Sequence, residues 1–396
     1  MKPVIFTIPG INWDVPGFGL MMTIAFLTAI WWATRRAVRS GANPDVILNL
    51  GFVGLIAGAV GCRAMYVIHY WDQFRYRGNW LDIAWAVVDV RRGGLEFYGG
   101  FVLTVICVVW WLWRVEKVSL RWYLDIVAPS AALGLAIGRI GCFLNGCCFG
   151  GVCDLPWAVT FPYASNAQME QWKAKLPGSE LPQELLYTYA GGLTQPLPRE
   201  SLAASDAELA AADAALKQNR AKLEELEAVL KKAGDAGERR RLEREAARLQ
   251  RALGPAVKYS DIRGNLERYG LTAAELRRLA AQHRSLPVHP AQLYSTVTAL
   301  VIAFFLNALY WRRTRDGQVI CTLLLIEAPT RFLLEMVRTD NPHDVFGLLT
   351  ISQFIALCMM LAGLIGLLWL QRLPPRSPRA ATWEPPAVAA AAAAGR

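Results

Sequence analysis

Residues 138–151 read Gly138-Arg139-Ile140-Gly141-Cys142-Phe143-Leu144-Asn145-Gly146-Cys147-Cys148-Phe149-Gly150-Gly151, directly after an apolar run from Leu124 to Ile137. An arginine thus stands where a bilayer-crossing helix ends, among glycines that let other groups approach the backbone. Charge at membrane depth is costly and usually marks a site. Two further arginines share the pattern: Arg63 after Gly61-Cys62, and Arg331 in Pro329-Thr330-Arg331-Phe332-Leu333-Leu334-Glu335-Met336-Val337-Arg338. A guanidinium grips a phosphate with two parallel hydrogen bonds. The chemistry implied is a membrane enzyme or binder acting on an anionic lipid headgroup. The plain alternative for each arginine is a structural charge paired with Glu335, Glu327 or a backbone carbonyl.

Other reactive groups are sparser. Gly93-Gly94-Leu95-Glu96-Phe97-Tyr98-Gly99-Gly100 opens an apolar segment. Its glycines serve either close helix packing or presentation of backbone N–H groups to a phosphate. His289, in Val288-His289-Pro290-Ala291-Gln292-Leu293-Tyr294, is a helix cap, a headgroup contact or a proton acceptor. His69, His283 and His343 carry no companion motif. Cys142, Cys147, Cys148 and Cys153 crowd together, but none of their spacings is the Cys-x-x-Cys of zinc sites. A disulfide, a thiol and small apolar packing all stay open for them.

The elements that position these groups are apolar. Of 396 residues, 54% are hydrophobic and 15 are tryptophan, which a soluble chain of this length rarely shows. Runs near the roughly 20 residues needed to cross a bilayer fall at 17–34, 46–69, 97–114, 122–143, 290–311, 317–337 and 347–370. Only helices satisfy their own backbone over such lengths in lipid. The expected fold is therefore all-α, a polytopic membrane protein of about seven transmembrane helices. The net charge of +10 does not point to nucleic acid, because Lys and Arg are spread over loops and span edges.

Four clusters follow spans one, three, five and seven: Arg35, Arg36 and Arg39; Arg114, Lys117 and Arg121; Arg312, Arg313 and Arg315; Arg372, Arg376 and Arg379. The positive-inside rule places them in the cytoplasm, with the N-terminus outside and the C-terminus inside. Arg75, Arg77, Arg91 and Arg92 oppose the rule. No cleavable signal peptide is expected, since residues 1–13 lack a basic start and a small-residue cleavage site.

The expected organisation is a membrane block at 1–151 with about four spans, an extracytoplasmic insert at 152–286, a block at 287–373 with about three spans, and a disordered cytoplasmic tail at 374–396. Within the insert, Leu202, Leu209, Leu216, Leu223 and Leu230 recur every seven residues. After Gly234-Asp235-Ala236-Gly237 come Leu242 and Leu249. The spacing predicts a coiled-coil-like helical hairpin near 202–253. It reads as a rigid solvated protrusion or as a docking arm for a partner. Thr272-Ala273-Ala274-Glu275 matches a helix-start capping box.

These motifs, in this order, resemble the prolipoprotein diacylglyceryl transferase family of bacterial inner-membrane enzymes. The resemblance runs from Pro3-Val4-Ile5-Phe6 and Gly17-Phe18-Gly19-Leu20-Met21 through Ala33-Thr34-Arg35-Arg36-Ala37 and the glycine pairs at 93–100. It continues through Gly138-Arg139-Ile140-Gly141, Asn145-Gly146 and Gly150 to His289–Tyr294, Arg331-Phe332, Glu335, Arg338 and Ser352-Gln353. It omits most of the insert. It implies transfer of the diacylglyceryl group of phosphatidylglycerol to the cysteine thiol of a prolipoprotein signal peptide, with glycerol phosphate leaving. It carries over Arg139, Asn145, Gly150 and Arg331 as site residues, and Tyr98 as an aromatic hydrogen-bonding position. The family often has His where Tyr98 stands, Tyr for Phe18, Asn for Cys142 and Glu for Cys147.

The candidate catalytic set is Arg139, Arg331, Tyr98 and His289. The candidate substrate-binding set is Arg63, Gly99, Gly100, Asn145, Gly146, Gly150, Glu335 and Arg338. His289, Tyr98 and Glu96 stand equal as proton acceptors. No metal or organic cofactor is expected. The rival reading is a protein of family shape with another acceptor, or one that binds lipid or lipoprotein through its hairpin without turnover.

Overall fold

The computed structural model describes residues 4–8, 13–75, 80–89, 94–188, 194–230, 242, 260–338, 348–380 and 382–383. Gly93, His343, the turn at 234–237, nearly all of the second hairpin helix and the tail beyond 383 lie outside the described residues.

An antiparallel pair, β1 (Val4–Ile8) and β2 (Trp13–Pro16), precedes α1 (Gly17–Ser40) and α2 (Pro44–His69). Short helices α3 (Trp71–Arg75) and α4 (Trp80–Val88) lead to α5 (Phe97–Trp110). A π turn over Trp111–Val115 extends α5, and α6 (Leu120–Asn145) follows. Next come α7 (Asn166–Lys173), β3 (Leu186–Thr188), β4 (Thr194–Pro196), α8 (Arg199–Leu202) and α9 (Asp206–Leu230). Helices α10 (Ser260–Tyr269) and α11 (Ala273–Gln282) precede the last long helices, α12 (Ala291–Arg312), α13 (Gln318–Val337) and α14 (Ile351–Leu370). The chain forms two compact units, Asn145–Pro290 and Lys2–Leu144 with Ala291–Arg396.

In the larger unit, local chemistry sets the helix ends. Gly41 ends α1 at φ 75°, and its N–H bonds Ala37 O and Val38 O. This left-handed cap suits glycine, which has no Cβ to clash. The Asn43 side chain accepts from Asp45 N to open α2, with Pro44 at the first helical position. Six helices among the described residues are long and apolar enough to cross a membrane: α1, α2, α5 with its π turn, α6, α12 and α14. Their large side chains, such as Leu27, Phe52, Ile56, Val301 and Phe304, face outward rather than into the protein. This is a helical, multi-pass membrane protein. Helix α13, the expected sixth span, forms over 20 residues, but Glu327, Arg331 and Glu335 make it too charged to meet the same composition.

Glycines let the helices meet backbone to backbone. On α2 and α5, a methyl group at Gly61 would overlap Gly99 O, and one at Gly100 would overlap Cys62 Sγ and lie 2.8 Å from Gly58 O. On α6, methyl groups at Gly134, Gly138 and Gly141 would touch Ala29, Met22 and Met21 of α1 at 3.1–3.4 Å. Gly61→Ala is expected to destabilise the protein by about 1–3 kcal/mol, the range for overpacking a fitted contact. Thermal unfolding in detergent checks this; an unchanged melting temperature would mean that the seam is not tight.

The basic ends converge. Asp125 of α6 accepts from Gly317 N (2.7 Å) and Ile320 N (2.9 Å), capping α13, and pairs with Arg313 Nε at 3.4 Å. Arg315 donates to Leu370 O (3.2 Å) and Leu373 O (2.7 Å), and Arg121 to Pro374 O (3.2 Å). Trp383 N donates to Gly41 O at 2.8 Å. The ends of α1, α12 and α14 and the start of α6 therefore share one end of this unit, so α13 and α14 run antiparallel. The tail expected to be disordered makes these bonds at 374 and 383, and Ser377 N donates to Asp316 Oδ2 at 2.9 Å.

The smaller unit has its own core of Leu181, Leu185, Leu197, Leu202, Leu209, Ile262 and Leu276 around Tyr163. The Tyr163 hydroxyl is shared between Leu185 O (3.2 Å) and Leu197 O (3.1 Å). Burial raises its pKa, partly offset by the Leu197 bond. The capping box at Thr272–Glu275 is present and opens α11. The heptad segment is not one helix from 202. Ser205 and Glu208 bond reciprocally, 2.7 Å and 3.2 Å, and start α9 afresh after α8. Leu202 and Leu209 consequently pack in the core, while the spacing alone assigned them to a hairpin seam.

Candidate active site

Tyr98 stands in the first turn of α5, and its hydroxyl lies 2.5 Å from Ser352 Oγ on α14. Ser352 Oγ also accepts from Arg331 Nη2 at 3.1 Å. Arg331 pairs with Glu335 one turn on, at 3.2 Å, and Arg338 lies 3.8 Å from the same carboxylate oxygen. The Thr350 hydroxyl donates to Glu335 Oε1 at 3.4 Å. Thr350 also opens α14 through a capping box with Gln353. One polar chain therefore crosses the apolar interior, linking Tyr98, Ser352, Arg331, Glu335, Arg338 and Thr350. Ser352 is its junction and Glu335, whose side chain is wholly buried, its anchor.

Arg139 joins this cluster through electrostatics. It lies within Coulombic reach of Arg331 and of Glu327. Its Nε is buried without a hydrogen-bond partner, and so is Arg331 Nη1. Two guanidiniums with unused donors repel each other and satisfy neither group. An oxyanion between them would correct both faults at once. Glycines 138 and 141 flank Arg139 and hold α1 close beside it.

The other candidates make different contacts. Arg63 donates to four backbone carbonyls: Val87 (2.7 Å), Gly94 (2.9 Å), Ala86 (2.7 Å) and Asp89 (3.0 Å). It clamps the α4–α5 connection to α2, the structural pairing that the sequence left open for it. Gly99 and Gly100 fill the α2–α5 seam described above. Asn145, Gly146, Gly150 and His289 belong to the smaller unit. There Gly146 turns at φ 72° with a methyl position 3.2 Å from the Phe161 ring. Gly150 N bonds His289 O at 2.9 Å, and His289 N bonds Gly151 O at 3.0 Å. Glu96 faces His69 Nδ1 at 2.8 Å.

Nothing in the residue types around Ser352 and Thr350 marks them as site residues. Ser352-Gln353 entered only through the resemblance, because a hydroxyl at the start of an apolar helix reads as a cap.

The sequence model described as prolipoprotein diacylglyceryl transferase matches residues 3–200 and 254–369. The chain belongs to that family. The matched ranges contain Arg139, Tyr98, Arg331 and Glu335 and leave out 201–253, where the heptad leucines lie. The phosphatidylglycerol–prolipoprotein diacylglyceryl transferase of Photorhabdus laumondii is 27% identical over 377 residues, covering 93% of this chain and 92% of its own. That of Yersinia pestis is 26% identical over 378 residues, 94% of each. That of Rhodopirellula baltica is 37% identical over 158 residues, 40% of this chain and 32% of its own length.

Proposed function

We propose that the protein transfers the diacylglyceryl group of phosphatidylglycerol to the acceptor cysteine of a prolipoprotein signal peptide. The observation that carries this reading is the pair Arg139 and Arg331, each with a buried donor left without a partner, within a family whose members bear that name. In the proposed reaction the peptide sulfur forms a bond to the terminal glyceryl carbon. The bond from that carbon to the phosphate oxygen breaks, and glycerol phosphate departs with the electron pair. The thiol proton passes to water or to the substrate's own phosphate, since the thiolate is the nucleophile. The attacking atom belongs to the substrate, so the protein's tasks are alignment and stabilisation of the departing phosphate.

Arg139 and Arg331 would share that phosphate. Glu335 holds Arg331 in place through the 3.2 Å ion pair, with Arg338 balancing its charge. Ser352, bonded to Tyr98, steadies the same Nη2 of Arg331 and leaves Nη1 for the substrate. Asn145 and the glycines after it would shape the turn that follows Arg139 at the end of α6. Arg63, Gly99 and Gly100 are assigned to scaffolding.

Release of glycerol phosphate tests the reading. It is expected only when phosphatidylglycerol and a cysteine-bearing peptide are both present, and not with a Cys→Ser peptide. Release independent of the peptide would indicate a lipase instead.

The proposed location is the bacterial inner membrane, N-terminus outside and C-terminus in the cytoplasm. Support comes from the four basic ends, which meet at one end of the larger unit. An Asp206→Cys protein, with its native cysteines replaced, is expected to react with an impermeant maleimide added to intact spheroplasts. Reaction only after lysis would invert the topology.

A further inference from the structure

At the basic end of the larger unit, a cavity of about 130 Å³ lies between the ends of α1 and α12. Arg35, Arg36, Arg39 and Asn307 line it, and three indoles, of Trp31, Trp32 and Trp311, wall it. Arg36 forms the floor and is only 2% exposed. Its Nη1 donates to Ile126 O (2.6 Å) and Ser130 Oγ (3.0 Å), and its Nε and Nη2 to Asn307 Oδ1 (3.2 and 2.8 Å). Its guanidinium carbon lies 4.6 Å from the Trp32 ring centroid and 5.7 Å from that of Tyr310.

Every one of these partners is neutral. A buried cation ordinarily has a carboxylate opposite it. Among the described residues, no ion pair joins Arg35, Arg36 or Arg39 to any acid, and no acid lines the cavity. Among the described residues, three positive charges therefore surround a space with no counter-charge, and the rim guanidinium of Arg35 is held over Trp31 at 4.4 Å. The space calls for an anion.

The surroundings say which anion. On the two helices that line it, Leu27 and Trp31 of α1 and Val301 and Phe304 of α12 are turned outward. Tryptophans at the end of a membrane span mark headgroup depth. Arg36 touches α6 at Ser130, nine residues before Arg139, which is about 14 Å along a helix rising 1.5 Å per residue. The cavity is thus separate from the Arg139–Arg331 cluster.

We propose that this cavity is a second lipid site, in which Arg35 and Arg39 hold the phosphate of an anionic phospholipid whose chains lie along the outward faces of α1 and α12. The charge of Arg36 beneath favours an anionic headgroup over a zwitterionic one.

Native mass spectrometry of the full chain, titrated in detergent with phosphatidylglycerol or with phosphatidylcholine of the same chains, tests this. The wild-type protein and an Arg139→Ala variant are both expected to retain a phosphatidylglycerol adduct that Arg35→Gln/Arg39→Gln binds about tenfold more weakly. A second variant, Asn307→Asp, puts a carboxylate against Arg36. It is expected to melt no lower than wild type and to lose the same adduct. Equal retention of phosphatidylglycerol by folded Arg35→Gln/Arg39→Gln or Asn307→Asp protein would overturn the proposal. So would equal retention of phosphatidylcholine. Displacement of the adduct by excess inorganic phosphate would overturn the lipid assignment in favour of a soluble anion.

Discussion

Arg139→Ala is expected to lower diacylglyceryl transfer about 100- to 1,000-fold, the range for removing one preorganised contact to developing charge. The fold should lose little. Arg139 Nε is buried without a hydrogen bond, so truncation orphans no acceptor there. The flanking glycines keep α6 packed on α1 through Met22, Met21 and Phe18. The like charge of Arg331 next to it is also relieved. Initial rates, measured beside the melting temperature in detergent, separate the two effects. A normal rate from a well-inserted variant would remove Arg139 from the mechanism.

Glu335→Ala is expected to act chiefly on stability, by about 3 kcal/mol, the low end for breaking a buried ion pair, because Arg331 is partly exposed. The carboxylate is wholly buried and faces Arg331 at 3.2 Å, Arg338 at 3.8 Å and the Thr350 hydroxyl at 3.4 Å. Removing it takes away the buried carboxylate that both guanidiniums share at the end of α13. Adding Arg331→Met to Glu335→Ala is expected to recover part of the loss, since one stranded charge goes. Unfolding in detergent measures both. A melting temperature unchanged by Glu335→Ala would show that the carboxylate is not the anchor of the polar chain.

Features carried by local composition were legible in the sequence. Apolar runs gave the long helices. The capping box at Thr272 was readable because its two residues bond each other directly. Arg139 and Arg331 stood out because charge inside apolar spans is rare. The convergence of the four basic clusters followed from counting spans, and the bonds from Arg121, Arg315 and Trp383 join those ends.

Long-range pairing was not legible. Tyr98 and Ser352 are 254 residues apart, and no pattern near either announces the other. Arg63 looked like its two counterparts, yet its partners are carbonyls of the α4–α5 connection, which carry no side-chain signature. Gly99 and Gly100 fit helix packing and also phosphate binding by sequence alone; Gly61 and Cys62 lie against them in the α2–α5 seam. In the insert, the heptad spacing was real, but the Ser205–Glu208 box broke the helix and sent Leu202 and Leu209 into a core.

The most direct measurement is the mass of a prolipoprotein peptide incubated with purified protein and phosphatidylglycerol, with Arg139→Ala alongside. The expected result is a diacylglyceryl increase on the peptide cysteine that falls away in the variant. No increase, while another member of the family is active in the same detergent, would contradict transferase activity and leave a lipid-binding or altered-acceptor protein in its place.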